Sequence, residues 1–203
     1  MKLLDFLFPK RCVACKKIGE YICASCFASL SFDVRLLCVV CNKPSFDGIT
    51  HPRCQGRYTI DGVFSSVVYG FVIRRLLYQY KYQPYVSDMA SLISTLSYEG
   101  LIQQEAYINV LQKYSPVMIP IPLHKNKFRK RGFNQAALLG EKLATAYGLE
   151  YADILIRTRE TKPQYGLKKD ERKENMKDAF VVDKEKRKGV EHTEVLLVDD
   201  LLT

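Results

Sequence analysis

No apolar run in this chain is long enough to cross a membrane. The longest candidate, Gly62 to Ile73, is about 12 residues and ends at Arg74-Arg75, short of the roughly 20 that a spanning helix needs. The opening MKLLDFLFPKRC is too short for a secretory leader and carries Asp5 where an apolar stretch would sit. It reads as a turn or two of amphipathic helix. There is no Walker A loop, no G-x-S-x-G and no dinucleotide fingerprint, and no aromatic-basic signature of a recognisable RNA module. Cysteine is absent after position 54. These absences argue against membrane insertion and make a reducing, cytoplasmic setting the expectation, in which cysteines hold metal rather than form disulfides.

What is present is a basic chain of 203 residues with 31 Lys+Arg against 22 Asp+Glu, a formal charge of +9, and a hydrophobic share of 47%. That is enough for one ordinary domain with a small appendage. The charge favours an anionic partner, either nucleic acid or a phosphorylated small molecule, and does not choose between them.

All seven cysteines lie in the first 54 residues. Cys12-x2-Cys15 is followed by Cys23-x2-Cys26, then by Cys38-x2-Cys41 and His51-x2-Cys54. Each C-x2-C lets one tight turn offer two thiolates to one ion, and two such turns complete a tetrahedral site. The simplest grouping is one site of Cys12, Cys15, Cys23 and Cys26 and another of Cys38, Cys41, His51 and Cys54. Interleaved pairs, a single metal with spare thiols, or buried free cysteines are the alternatives. Such closed sites are structural, because about 50 residues hold too little core to fold unaided.

Beyond Tyr58 the pattern changes. Gly62 to Gly70 reads as a strand and FVIRRLLYQYKY as a helix with Val72, Leu76 and Tyr80 on one face. Pro84 opens another helix through about Tyr98, and Leu101 to Lys113 reads as a third. Val117 to Ile121 is a buried central strand. Asn134 to Tyr147 is a helix with Ala136, Leu139, Leu143 and Tyr147 at helical spacing, stopped by Gly148. Ile154 to Ile156, Ala179 to Val182 and Val195 to Val198 read as strands, with a charged helix over about Lys168 to Lys177. This alternation indicates an α/β fold, a mostly parallel sheet with flanking helices behind a small zinc module. Ligands of such sheets bind beyond the carboxyl ends of the strands.

Asp199 and Asp200 fall at such an end. Paired acids there accept hydrogen bonds from sugar hydroxyls or act on a metal-bound substrate; alternatively they are two solvated carboxylates. In PIPLHKNKFRKRGFNQ a strand empties into a loop with Lys125, Lys127, Arg129, Lys130 and Arg131. Gly132 allows close backbone approach, and a helix opens around Asn134 and Gln135, an anion-binding combination. The alternatives are a solvated loop or a non-specific nucleic-acid patch. Downstream, Arg157, Thr161, Gln164, Arg172 and Asn175 lie along a polar segment able to fold over a charged substrate.

FPKRCVAC with YICASC, PIPLHKNKFRKRGFNQA, RTRETKPQYGLKKDERKENMKDAF and VLLVDDLLT together resemble the ComF family of competence-associated proteins. That resemblance implies a double zinc ribbon over 1–57 holding one or two Zn²⁺, and a type I phosphoribosyltransferase-like domain over 58–203. Asp199 and Asp200 would hold the ribose of phosphoribosyl pyrophosphate (PRPP), and Leu123, His124 and Lys125 would lie near its pyrophosphate. Thr203 would open the phosphate loop, within which the chain reads as truncated. Arg157 to Asn175 would cover the site, and Mg²⁺ would bridge pyrophosphate and ribose. No catalytic residue or acceptor is implied; the activity, if present, would be a phosphoribosyltransferase. The alternative is a non-enzymatic adaptor for single-stranded DNA or a competence helicase.

Overall fold

A computed structural model describes residues 9–82, 86–162, 166, 168–186, 190 and 194–201. The expected amphipathic turn at the N-terminus and the Pro84 helix start lie outside them. The chain divides into two compact units, Met1–Gln112 and Lys113–Thr203.

The first unit begins with the cysteine-rich segment. Its regular structure is limited to helix α1, Ala24–Phe27, and two 3-10 turns, Phe46–Gly48 and Pro52–Cys54. Three helices follow: α2, Phe71–Tyr82; α3, Val86–Leu101; and α4, Glu105–Tyr114. The expected face of α2 is the buried one, with Val72, Ile73, Leu76, Leu77 and Tyr80 inward. It joins Met89, Ala90, Ile93 and Leu96 of α3 in the core of this unit.

Gly62 to Gly70 forms no strand. Its backbone groups are used elsewhere: Val63 N–H donates to Gly48 C=O at 3.1 Å and Val68 N–H to Ser31 C=O at 2.9 Å. A Cβ on Gly100 of α3 would run into the Ser66 carbonyl and sit 3.1 Å from the Phe32 ring. The Gln104 side chain donates to Ser65 C=O at 2.8 Å. These ties hold residues 58–112 to the cysteine-rich segment, so the compact division follows Gln112 although the composition changes near residue 57.

In the second unit β1, Val117–Pro120, is buried along its whole length. It pairs in parallel with β4, Val195–Val198, in the register Val117↔Val195 to Pro120↔Val198. On its other side Met118 N–H donates to Glu150 C=O at 2.9 Å and Met118 C=O accepts from Ala152 N–H at 3.0 Å. Among the described residues β1 is therefore the strand flanked on both sides. Helix α5, Lys125–Arg131, and helix α6, Gln135–Tyr147, come next. Helix α6 buries Ala136, Leu139 and Leu143. It approaches the sheet through Gly140, whose missing side chain leaves room for Val198 and Tyr151.

The remaining strands, β2 (Leu155–Arg157) and β3 (Phe180–Val182), pair with each other in antiparallel fashion on either side of α7, Lys169–Met176. The architecture is thus mixed α/β with a small parallel sheet, flanking helices and an N-terminal cysteine-rich module.

Candidate metal centres and a candidate anion site

The cysteine-rich segment repeats one backbone device 26 residues later. In the first copy Cys12 N–H donates to Lys17 C=O, Lys16 N–H to Cys12 C=O and Gly19 N–H to Lys10 C=O. In the second, Cys38 N–H donates to Lys43 C=O, Asn42 N–H to Cys38 C=O and Ser45 N–H to Leu36 C=O. The residue after each second cysteine is left-handed, with φ of 68° at Lys16 and 56° at Asn42. This knuckle turns both thiols to one side.

The partner halves differ. Cys23 and Cys26 bracket the start of α1, whereas His51 and Cys54 sit on a 3-10 turn. The two clusters nevertheless close in the simplest grouping, Cys12–Cys15–Cys23–Cys26 and Cys38–Cys41–His51–Cys54, with all ligand atoms of each set within 4.8 Å of one another.

The protonation chemistry of both sets suits a cation. Burial pushes the Cys12 thiol up, but hydrogen bonds from the Cys15, Cys23 and Ala14 backbones outweigh it and bring the group down to about 6. Cys38 falls to about 6 in the same way, through the His51, Cys41 and Val40 backbones. Hydrogen bonding with Cys12 and Cys23 pushes Cys26 up to about 12, and burial, with Cys41 and Cys38, raises Cys54. In each cluster hydrogen bonds draw one thiol toward the thiolate form while another is held toward the thiol, and a cation between them would favour the thiolate form of both.

At His51, Nε2 lies 3.1 Å from the Pro44 carbonyl and Nδ1 lies 3.4 Å from Cys41 Sγ. An Nε2–H donated to that carbonyl leaves the Nδ1 lone pair facing the thiols, the arrangement that orients a metal-binding imidazole. Four thiol or imidazole donors per site, with no fifth ligand in either set among the described residues, fit structural Zn²⁺.

The second unit assembles charge where β1 and β4 end. Ile121 N–H donates to Val198 C=O at 3.0 Å, immediately before Asp199. The Ile121 carbonyl in turn accepts from Asn134 Nδ2 at 3.1 Å. Two hydrogen bonds thus link the end of β4 to the turn that opens α6. Asn134 also caps that helix, its Oδ1 accepting from Ala136 N–H at 3.2 Å.

Electrostatics links the same groups. Burial lowers the Arg157 guanidinium pKa while Asp199 pulls it back up. Burial and the charges of Arg157 and Arg131 lower Lys127, against Glu160. Asp199 thus acts on Arg157, and Arg157 and Arg131 act on Lys127, while Arg131 donates to the buried Gln135 Oε1. Asp200 N–H donates to Asp199 Oδ1 at 2.8 Å, which orients the first acid of the pair.

Several expected residues stand differently from their reading in sequence. The basic stretch is a helix rather than a loop, because His124 Nδ1 accepts from Asn126 N–H at 3.4 Å and Gly132 closes it with φ of 82°. Nearly buried, His124 is the cap of α5. Arg157 ends strand β2, donates to Thr161 and lies 5.5 Å over the Phe180 ring, so it is seated rather than loose. Asn175 reaches back from α7 and makes both backbone hydrogen bonds of Lys162, at 3.1 and 3.0 Å. Arg172 lies on α7, where its backbone N–H donates to Lys168 C=O at 2.9 Å. Gln164 and Thr203 lie outside the described residues. Sequence reading missed Glu160, whose Oε2 accepts from Asn126 Nδ2 at 2.7 Å. A lone acid in a basic stretch was the one available signal.

Residues 3–55 match the family model of the double zinc ribbon domain. Over 92 residues the chain is 34% identical to Competence protein F of Haemophilus influenzae, a match covering 45% of this chain and 40% of that protein. The chain thus spans less than half the length of that relative. No solved structure matches. Within the double zinc ribbon match lie two zinc-type ligand sets, one of four cysteines and one of three cysteines and a histidine. No described helix is long and apolar enough to cross a membrane.

Proposed function

We propose that the second unit binds PRPP, or a closely related phosphorylated small molecule, and that the chain serves competence and DNA uptake, a reading supported by its similarity to a Haemophilus influenzae protein named Competence protein F. What supports the binding reading is Asp199, which directly follows β4 of the parallel pair and whose charge raises the Arg157 pKa, together with the effect of the Arg157 and Arg131 charges on Lys127. Carboxylates and cations side by side suit a ligand with both hydroxyls and phosphates. Asp199 and Asp200 would take ribose hydroxyls, and Leu123 to Lys125 with Arg131 would face the pyrophosphate. Hard carboxylate oxygens also fit Mg²⁺, which would neutralise charge on the phosphates. If turnover occurs, it is displacement of pyrophosphate from the anomeric carbon.

Isothermal titration of the zinc-loaded chain with PRPP and Mg²⁺ tests this reading. Heat is expected below millimolar ligand, with at least a tenfold loss of affinity in the Asp199→Asn/Asp200→Asn double variant. No heat at millimolar ligand, or a variant that binds like the parent, would end it. A second reading, a single-stranded-DNA or helicase adaptor without turnover, is favoured by the exposed Lys125, Arg129 and Lys130 of α5. It predicts a steep loss of DNA affinity with salt.

A further inference from the structure

Helix α2 has an outer face that the core does not use. From Gly62 to Ser87 the sequence has no Asp or Glu. With 3.6 residues per turn, Phe71, Arg74, Arg75, Tyr78, Lys81 and Tyr82 fall within an arc of about 120°, opposite the buried Leu76 and Tyr80. The aromatics on this arc are well exposed, Phe71 at 52%, Tyr78 at 61% and Tyr82 at 65%. Tyr69, just before the helix, is at 49%. Arg75 lies 5.3 Å over the Phe71 ring, and the Tyr78 and Tyr82 rings are 5.1 Å apart and tilted by 50°. The stripe runs along about 16 Å of helix axis.

We infer that this face of α2 binds single-stranded nucleic acid, its rings stacking on unpaired bases while Arg74, Arg75 and Lys81 meet the phosphates. Aromatic platforms interleaved with cations and free of carboxylates are what a flexible polyanion with exposed π-faces requires. A lipid surface fits less well, because the aliphatic side chains of α2 point into the core and the outer face offers mainly tyrosine and arginine. The inference does not rest on the sugar-phosphate site, and it places the strand on a different helix, in a different unit, from the basic α5.

Fluorescence anisotropy of the zinc-loaded full chain with a labelled oligo-dT of about 15 nucleotides tests it. Tyr78→Ala should weaken binding by about 5- to 150-fold, the usual range for one stacked base, whereas Tyr78→Phe should stay within about twofold. Arg74→Gln/Arg75→Gln should flatten the slope of log affinity against log salt by about 1.4. A duplex of the same length, whose bases are already stacked, should bind less tightly. Zinc content and circular dichroism unchanged in each variant keep the comparison free of folding effects. The inference is overturned if Tyr78→Ala binds oligo-dT like the parent, including the case where Arg129→Gln/Lys130→Gln on α5 removes the binding instead. It is equally overturned if oligo-dT does not bind while phosphatidylglycerol vesicles, or a second copy of the chain, bind in a Tyr78-dependent way.

Discussion

The cysteine-rich segment and the β1–β4 sheet reach order by opposite routes. Between Lys10 and Cys54 the longest regular element is a four-residue helix, and the shape depends on two knuckles built from neighbouring residues. In the sheet, Val117 pairs with Val195 across most of the second unit, and no local contact announces it. One region offers ligands a few residues apart to ions that would stabilise it; the other is stabilised by burying Val117, Met118 and Ile119. The lesson is that metal-dependent order is local and chemically labelled, whereas order from a parallel sheet is distant and labelled only by apolarity.

The strongest way to break this contrast is to remove the metal. Chelation, or Cys38→Ser, should unfold the cysteine-rich segment outright, because apparent zinc-binding free energies of about 10–16 kcal/mol are folding energy in such modules. Heteronuclear NMR should show those signals collapse while Val117 to Pro120 keep theirs; a sheet that melts along with the ribbons would show that the two do not fold by separate means.

Met118→Ala makes the converse cut. Met118 is 1% exposed, and truncating such a side chain costs about 2–5 kcal/mol. Denaturant melts should show the second unit weakened with zinc retained. A smaller effect is expected from Gly100→Ala, which drives a methyl group toward the Ser66 carbonyl. Overpacking of this kind costs about 1–3 kcal/mol, and it should lower the melting temperature of the first unit alone.

The smallest effect is a titration. The Asn126 hydrogen bond holds the Glu160 carboxyl below its usual value, helped by His124, Lys130 and Lys127. A depressed folded-state pKa stabilises the fold above the ordinary carboxylate value, and the contribution is lost as pH falls through the depressed one. NMR should therefore place the Glu160 midpoint below that of a free glutamate, and Asn126→Ala should move it upward. An unchanged midpoint would remove Glu160 from the charged group.

Much of this was readable in the residues. The C-x2-C spacing named both ligand sets, and the inward faces of α2 and α6 followed from their periodicity. Val195–Val198 was legible as a strand that runs into two aspartates. What misled was local context. Gly62 to Gly70 has strand-like residues, yet its backbone hydrogen bonds go to Gly48 and Ser31. The basic stretch before Gly132 looked like a loop, yet a histidine cap and a left-handed glycine make it a helix.

By itself, then, the sequence determined where the metal sites lie and which helix faces turn inward, since both depend on residues within a few turns of one another. Only the tertiary structure decided which strands pair and that the charge of Asp199 acts on Arg157. It also decided that the aromatic and basic residues of α2 share one exposed face. Those arrangements join residues far apart in the chain, or depend on which helix face the core occupies, and burial and charge act through space rather than along the backbone.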